Sequence, residues 1–96
     1  MESSQYIEIL KENLPRIQNE FGVTALSVFG SMARGDNTDD SDIDIFVEMP
    51  PKIFLMSGLK DFLESILTVS VDLIRKHSHL SSKFQNQISR DAITIL

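Results

Sequence analysis

The sequence predicts an α+β domain: a small sheet covered mainly on one face by helices. Three observations carry this reading. Apolar residues recur at helical spacing in three separate stretches. Three short runs rich in branched apolar residues lie between and after them. Counting one short helical turn, the order is helix, strand, helix, strand, helix, strand, helix, which suits a few strands sheltered by helices. The 96 residues are 42% hydrophobic and 24% charged, enough for one core and too few for two. A single domain over residues 1–96 is therefore expected.

Tyr6, Leu10, Leu14, Ile17 and Phe21 form one helical stripe. Pro15 lacks an amide donor and clashes with the carbonyl four residues back, so a kink or two consecutive helices is expected there. Gly22 suits the C-terminal cap. Ala25 to Phe29 reads as a first strand. Residues 30–41 hold two glycines, an asparagine and short polar residues, which exclude a long regular element. One helical turn at Ser31-Met32-Ala33-Arg34, stopped by Gly35, fits. Ile43 to Glu48 reads as a second strand, ended by Pro50-Pro51. Leu55, Leu59, Phe62, Leu63 and Ile66 mark the next helix. Val69 to Ile74 is the third strand, with Val69, Val71 and Leu73 on one face and Ser70, Asp72 and Ile74 on the other. Leu80, Phe84 and Ile88 mark a last helix with Ser81 or Ser82 as N-cap, and Ile93-Thr94-Ile95 adds a short edge strand.

Composition narrows the function. No apolar stretch nears the ~20 residues of a membrane span, and Met1-Glu2-Ser3-Ser4 does not open a signal peptide. There is no cysteine, hence no disulfide, thiolate nucleophile or cysteine metal site, and a cytoplasmic location is expected. The net charge of −5 argues against a broad nucleic-acid surface. That charge is concentrated: Asp36, Asp39, Asp40, Asp42, Asp44 and Glu48 fall within thirteen residues, while the rest of the chain carries eight acids against nine bases. Clustered carboxylates are either a solvated face or a site for a hard divalent cation.

Asp42 and Asp44 favour the cation. Two apart on a strand, they point to the same side, while Ile43, Ile45 and Val47 point into the core. Like charges so placed repel unless a cation lies between them. Mg²⁺ takes oxygen ligands and is commonly held by one or two carboxylates together with substrate phosphates. Gly30-Ser31, at the end of the first strand, offers close backbone approach and a hydroxyl donor to a phosphate. Asp72 becomes a third carboxylate of the group if its strand lies beside the second.

Gly30-Ser31, ten residues, then Asp42-Ile43-Asp44 resembles the signature of the DNA polymerase beta-like nucleotidyltransferases. The runs Phe29-Gly30-Ser31-Met32-Ala33-Arg34-Gly35 and Ser41-Asp42-Ile43-Asp44-Ile45-Phe46-Val47 are similar to the minimal nucleotidyltransferase (MNT) subfamily in particular. The resemblance covers most of the chain and implies the nucleotidyltransferase α+β fold with a mixed sheet. It implies that Asp42, Asp44 and Asp72 are catalytic and hold one or two Mg²⁺ ions. Gly30 and Ser31 would bind the β- and γ-phosphates of ATP. A hydroxyl would attack the α-phosphate and pyrophosphate would leave, one ion activating the hydroxyl and the other stabilising the leaving oxygens. Asp72 would contact the ion nearer the nucleophile and could accept its proton. Arg34 is a candidate phosphate contact, or else an ion-pair or partner residue. Stand-alone MNT proteins are commonly paired with a small helical HEPN ribonuclease toxin, which implies a hetero-oligomer. In some pairs the MNT antitoxin adds AMP to a toxin tyrosine.

The leading expectation is thus a Mg²⁺-dependent antitoxin that AMPylates its HEPN partner. Its rivals are a non-catalytic antitoxin that masks the partner, and the catalytic subunit of a two-subunit small-molecule transferase. His77 and His79 are read as turn residues rather than metal ligands, and Asp36, Asp39 and Asp40 as loop residues and caps. An EF-hand does not fit, because the segment lacks the sixth-position glycine and the closing glutamate. Large apolar side chains left exposed would mark a partner surface.

Overall fold

The computed structural model describes residues 3–35, 42–77, 82–83, 85–86 and 92–96. Helices α1 (Ser3–Glu12) and α2 (Leu14–Phe21) follow one another, as Pro15 predicts. Asn13 sits at the break, its side-chain amide donating to the Ile9 carbonyl at 2.8 Å. The helix is re-entered immediately, because proline is tolerated in a first turn whose amides have no partner in any case. Gly22 closes α2 in the left-handed conformation, φ 68°, its amide donating to the Gln18 carbonyl.

Among the described residues four strands follow: β1 (Ala25–Phe29), β2 (Ile43–Glu48), β3 (Val71–Arg75) and β4 (Ile93–Thr94). They lie in the order β3-β2-β1-β4. β1 pairs antiparallel with β2 and with β4, whereas β2 and β3 are parallel, so the sheet is mixed. A parallel pair needs a crossover, and the fifteen-residue helix α4 (Ile53–Leu67) provides it. The short helix α3 (Ser31–Arg34) opens the β1–β2 connection.

Alternation along the strands decides which face is buried. Leu26, Val28, Ile43, Ile45, Val47 and Val71 face the helices and are almost fully buried. Against them pack Tyr6 and Leu10 of α1, Ile17 of α2, Met32 of α3 and Leu59, Leu63 and Leu67 of α4. Each such side chain contributes about 1.5–3 kcal/mol of burial free energy. The opposite face carries Ser27, Asp44 and Phe46, half-buried, and exposed Asp72.

Two strands differ from expectation in their bounds. The third strand begins at Val71, not Val69, and runs one residue beyond Ile74. α4 continues to Leu67, and Thr68 then caps it in the left-handed conformation at φ 59°, so residues 69–70 are needed to turn into the sheet. β4 covers Ile93–Thr94 only, although the amides of Ile95 and Leu96 still donate to the Leu26 carbonyl. Leu80, Ser81, Phe84 and Ile88 of the expected last helix lie outside the described residues, while residues 82–83 and 85–86 are helical. Among the described residues no helix is long and apolar enough to cross a membrane. Two adjacent large apolar side chains at the start of α4 stay exposed, Ile53 at 75% and Phe54 at 90%.

Candidate active site

The register of the three longer strands assembles the candidate residues. β1 ends at Phe29, which pairs with Asp44 of β2, and Asp44 pairs in turn with Asp72 of β3. Paired residues on neighbouring strands share a face and lie about 5 Å apart. Asp44 and Asp72 therefore stand side by side on the face away from the helices, with Asp42 two residues before Asp44. The condition set by the sequence for Asp72, that its strand adjoin the second, is met.

Asp44 is half-buried, while Asp42 and Asp72 are exposed. Its carboxyl is held above the ordinary carboxylate value of 3.8, first by burial, then by the negative charges of Asp72 and Asp42. The Arg34 guanidinium acts in the opposite direction. Among the described residues no three acidic or histidine side chains converge closely enough to ligate one ion as they stand. The charge balance is what a divalent cation would relieve: three carboxylates, one of them half-buried, with Arg34 as the cation acting on Asp44. The donor set therefore suits Mg²⁺ in chemistry.

Gly30 adjoins Asp44. Its backbone, φ 73° and ψ −149°, is a conformation that residues with a side chain rarely adopt. A Cβ built on it would collide with Asp44 Oδ2 and lie 3.1 Å from Asp44 Cγ. Ser31 follows as the first residue of α3 and is half-buried, and the Arg34 amide closes the turn onto the Gly30 carbonyl at 3.1 Å. Arg34 ends α3 with an exposed side chain. Gly30, Ser31, Arg34, Asp42, Asp44 and Asp72 are thus gathered around one corner of the sheet.

Other candidates are placed elsewhere. His77 lies five residues past Asp72, roughly 16 Å further along the strand direction, at the opposite end of the sheet. His79, Asp36, Asp39 and Asp40 lie outside the described residues. One residue escaped the sequence reading. Glu64, in the last turn of α4, accepts the Val71 amide on Oε2 at 2.9 Å, just before Asp72. Its sequence signal is an acid where the helix dipole disfavours one.

Comparison with known proteins agrees with this geometry. A family model described as a nucleotidyltransferase domain matches residues 3–95. The Methanocaldococcus jannaschii protein MJ1215, named as a candidate protein adenylyltransferase, is 40% identical over 77 residues, 78% of this chain and 90% of that protein. The protein adenylyltransferase MntA of Thermococcus cleftensis is 34% identical over 89 residues, 91% of this chain and 89% of that protein. Among solved structures, a candidate minimal nucleotidyltransferase superposes with a TM-score of 0.80 at 29% identity, covering 97% of this chain and 95% of its own. With its mixed sheet, its Gly-Ser turn and its paired aspartates in the arrangement just described, the chain belongs to the nucleotidyltransferase domain family.

Proposed function

We propose that the protein transfers AMP from ATP to a hydroxyl of a partner protein, and that the partner is a helical HEPN-type toxin which it neutralises. The observation that carries this reading is the direct register of Asp44 with Asp72, with Gly30 seated against Asp44. Because Gly30 has no side chain, the turn after β1 passes directly against Asp44, so phosphates held by that turn would lie beside the carboxylate. The Ser31 hydroxyl donates to a phosphate oxygen beside it. Asp42, Asp44 and Asp72 would hold Mg²⁺, which when bound supplies neutralising charge and lowers the pKa of the attacking hydroxyl. Asp72 is exposed on the edge strand of the described sheet, so it is the carboxylate an acceptor hydroxyl reaches first and the one to receive its proton.

Kinship and the surface support this choice of partner. The T. cleftensis relative is named a protein adenylyltransferase. A chain of an MntA toxin–antitoxin complex shares the fold at 26% identity and a TM-score of 0.62, covering 98% of this chain and 71% of its own. Exposed Ile53 and Phe54 are apolar surface of the kind a partner covers. A cytoplasmic hetero-oligomer with no direct nucleic-acid contact is the corresponding assembly.

The test is to incubate the protein with Mg²⁺, α-phosphate-labelled ATP and host lysate, beside an Asp42→Ala/Asp44→Ala control. A protease-sensitive labelled band absent from the control is the expected result. Ribonuclease-sensitive label would move the acceptor to RNA. No label with the partner present would favour an antitoxin that only masks its partner.

A further inference from the structure

We infer that Glu64 is a positioning residue for the third carboxylate: its side chain pins the start of β3 so that Asp72 stands level with Asp44. This rests on the adenylyl-transfer reading of the site and concerns a residue of α4 outside the Gly-Ser and aspartate motifs.

The start of β3 is held from two sides. On the inner side the Ser70 carbonyl accepts the Ile43 amide at 2.9 Å. At the far end the Lys76 amide donates to the Val47 carbonyl at 2.8 Å. In a parallel ladder each residue bonds to one neighbour with both its groups, and successive residues turn to opposite sides. Even-numbered residues of this strand therefore bond to β2, and the Val71 amide points to the outer edge, where the described sheet has no further strand. Glu64 Oε2 takes that amide at 2.9 Å.

Glu64 also holds the turn between. Its own carbonyl accepts the Thr68 amide at 2.9 Å, closing α4. One residue thus clamps both ends of the connection, Thr68 through its backbone and Val71 through its carboxylate. The connection contains Thr68 at φ 59°, a conformation unfavourable for a branched residue. Asp72 is the next residue after the clamp. It is exposed. Its level relative to Asp44 is therefore set by the backbone at Ser70 and Val71. An acid in the last turn of a helix opposes the helix dipole, and the Val71 amide offsets that cost.

The substitutions separate a tether from a charge. Glu64→Gln keeps an oxygen that can accept the Val71 amide and removes the charge. Glu64→Asp keeps the charge and is one methylene too short to reach. The full chain is loaded with an unhydrolysable ATP analogue, and Mn²⁺ affinity is read by electron paramagnetic resonance. Transfer to the labelled acceptor is measured in parallel as a function of ATP and Mg²⁺.

Glu64→Asp and Glu64→Ala are expected to weaken Mn²⁺ binding about 10-fold and to lower kcat similarly, as when a residue supporting a metal ligand is removed. The KM for ATP should stay within about 2-fold, since on the proposed reading the phosphates would lie on the β1–α3 side. Glu64→Gln should retain wild-type values. If the alanine variant does not fold, the aspartate variant carries the test. Wild-type Mn²⁺ affinity and kcat in a folded Glu64→Asp would overturn the inference while leaving the reading of the site intact. A wild-type chain that neither binds Mn²⁺ nor transfers AMP overturns both.

Discussion

Gly30 and Asp44 approach so closely that only a hydrogen fits on the Gly30 Cα; a methyl group there would collide with Asp44 Oδ2. The same glycine occupies φ 73° and ψ −149°. Gly30→Ala is therefore expected to impose about 1–3 kcal/mol of backbone strain and to push the Asp44 carboxylate aside. A displacement of about 1 Å at a reacting centre costs on the order of 10²-fold in rate. Transfer kinetics beside a thermal melt would check this, and a folded Gly30→Ala with wild-type transfer would contradict it.

Asp44 carries an electrostatic cost in the folded protein. Its carboxyl is raised in the folded protein, while in the unfolded chain it titrates near 3.8. The native state therefore binds the proton more tightly, and stability falls as pH rises from about that value through the raised one. Below it the group makes no difference between the two states. Above the raised value the full repulsion from Asp72 and Asp42 and the desolvation are felt. In metal-free buffer Asp44→Asn should accordingly melt higher than wild type at neutral pH, with the gap closing in acid and narrowing in high salt. Mg²⁺ should raise the wild-type Tm more than that of the variant, and the variant should lose transfer activity. Melts from pH 3 to 8, with and without Mg²⁺, test all of this.

Thr68 is the sole non-glycine residue with positive φ among the described residues. Its left-handed conformation carries a steric cost of about 1–2 kcal/mol that glycine does not bear. The hydroxyl recovers part of it by donating to the Leu67 carbonyl at 2.7 Å. Glycine also gives up more chain entropy on folding. The net expectation for Thr68→Gly is a gain of about 0.5 kcal/mol, or about 2–4 °C in Tm. A melt of the single variant decides the sign.

Leu63 lies fully buried in the middle of α4, beneath the sheet. Truncation to alanine leaves a cavity and should cost about 3 kcal/mol, which for a domain of this size lowers Tm by about 12–24 °C. Phe54, 90% exposed in the same helix, makes the contrast. Phe54→Ser should shift Tm by no more than a few degrees. Paired melts of the two variants would check the assignment of the buried face.

Much of the candidate site's arrangement is legible in the residues themselves. The period of two places Asp42 and Asp44 on one face and Ile43, Ile45 and Val47 on the other, whatever the strand pairs with. Gly22 and Pro15 act through their own backbone chemistry, so the break and the cap in the first helical stripe were local facts. β-propensity at Val69 predicts a strand two residues early because it says nothing about how far α4 extends.

The sequence by itself determined most of the described elements, the faces they bury and which groups are candidates to hold phosphate and metal, because these depend on side-chain spacing within a few residues. Only the tertiary structure decided that β3 lies parallel beside β2, that Asp72 pairs with Asp44 rather than with a neighbour two residues away, and that Glu64 reaches the Val71 amide. The physical reason is distance along the chain. Asp44 and Asp72 are joined through a fifteen-residue crossover helix, and their register is fixed by which apolar faces bury best together and by backbone hydrogen bonds between strands. No local pattern carries that sum.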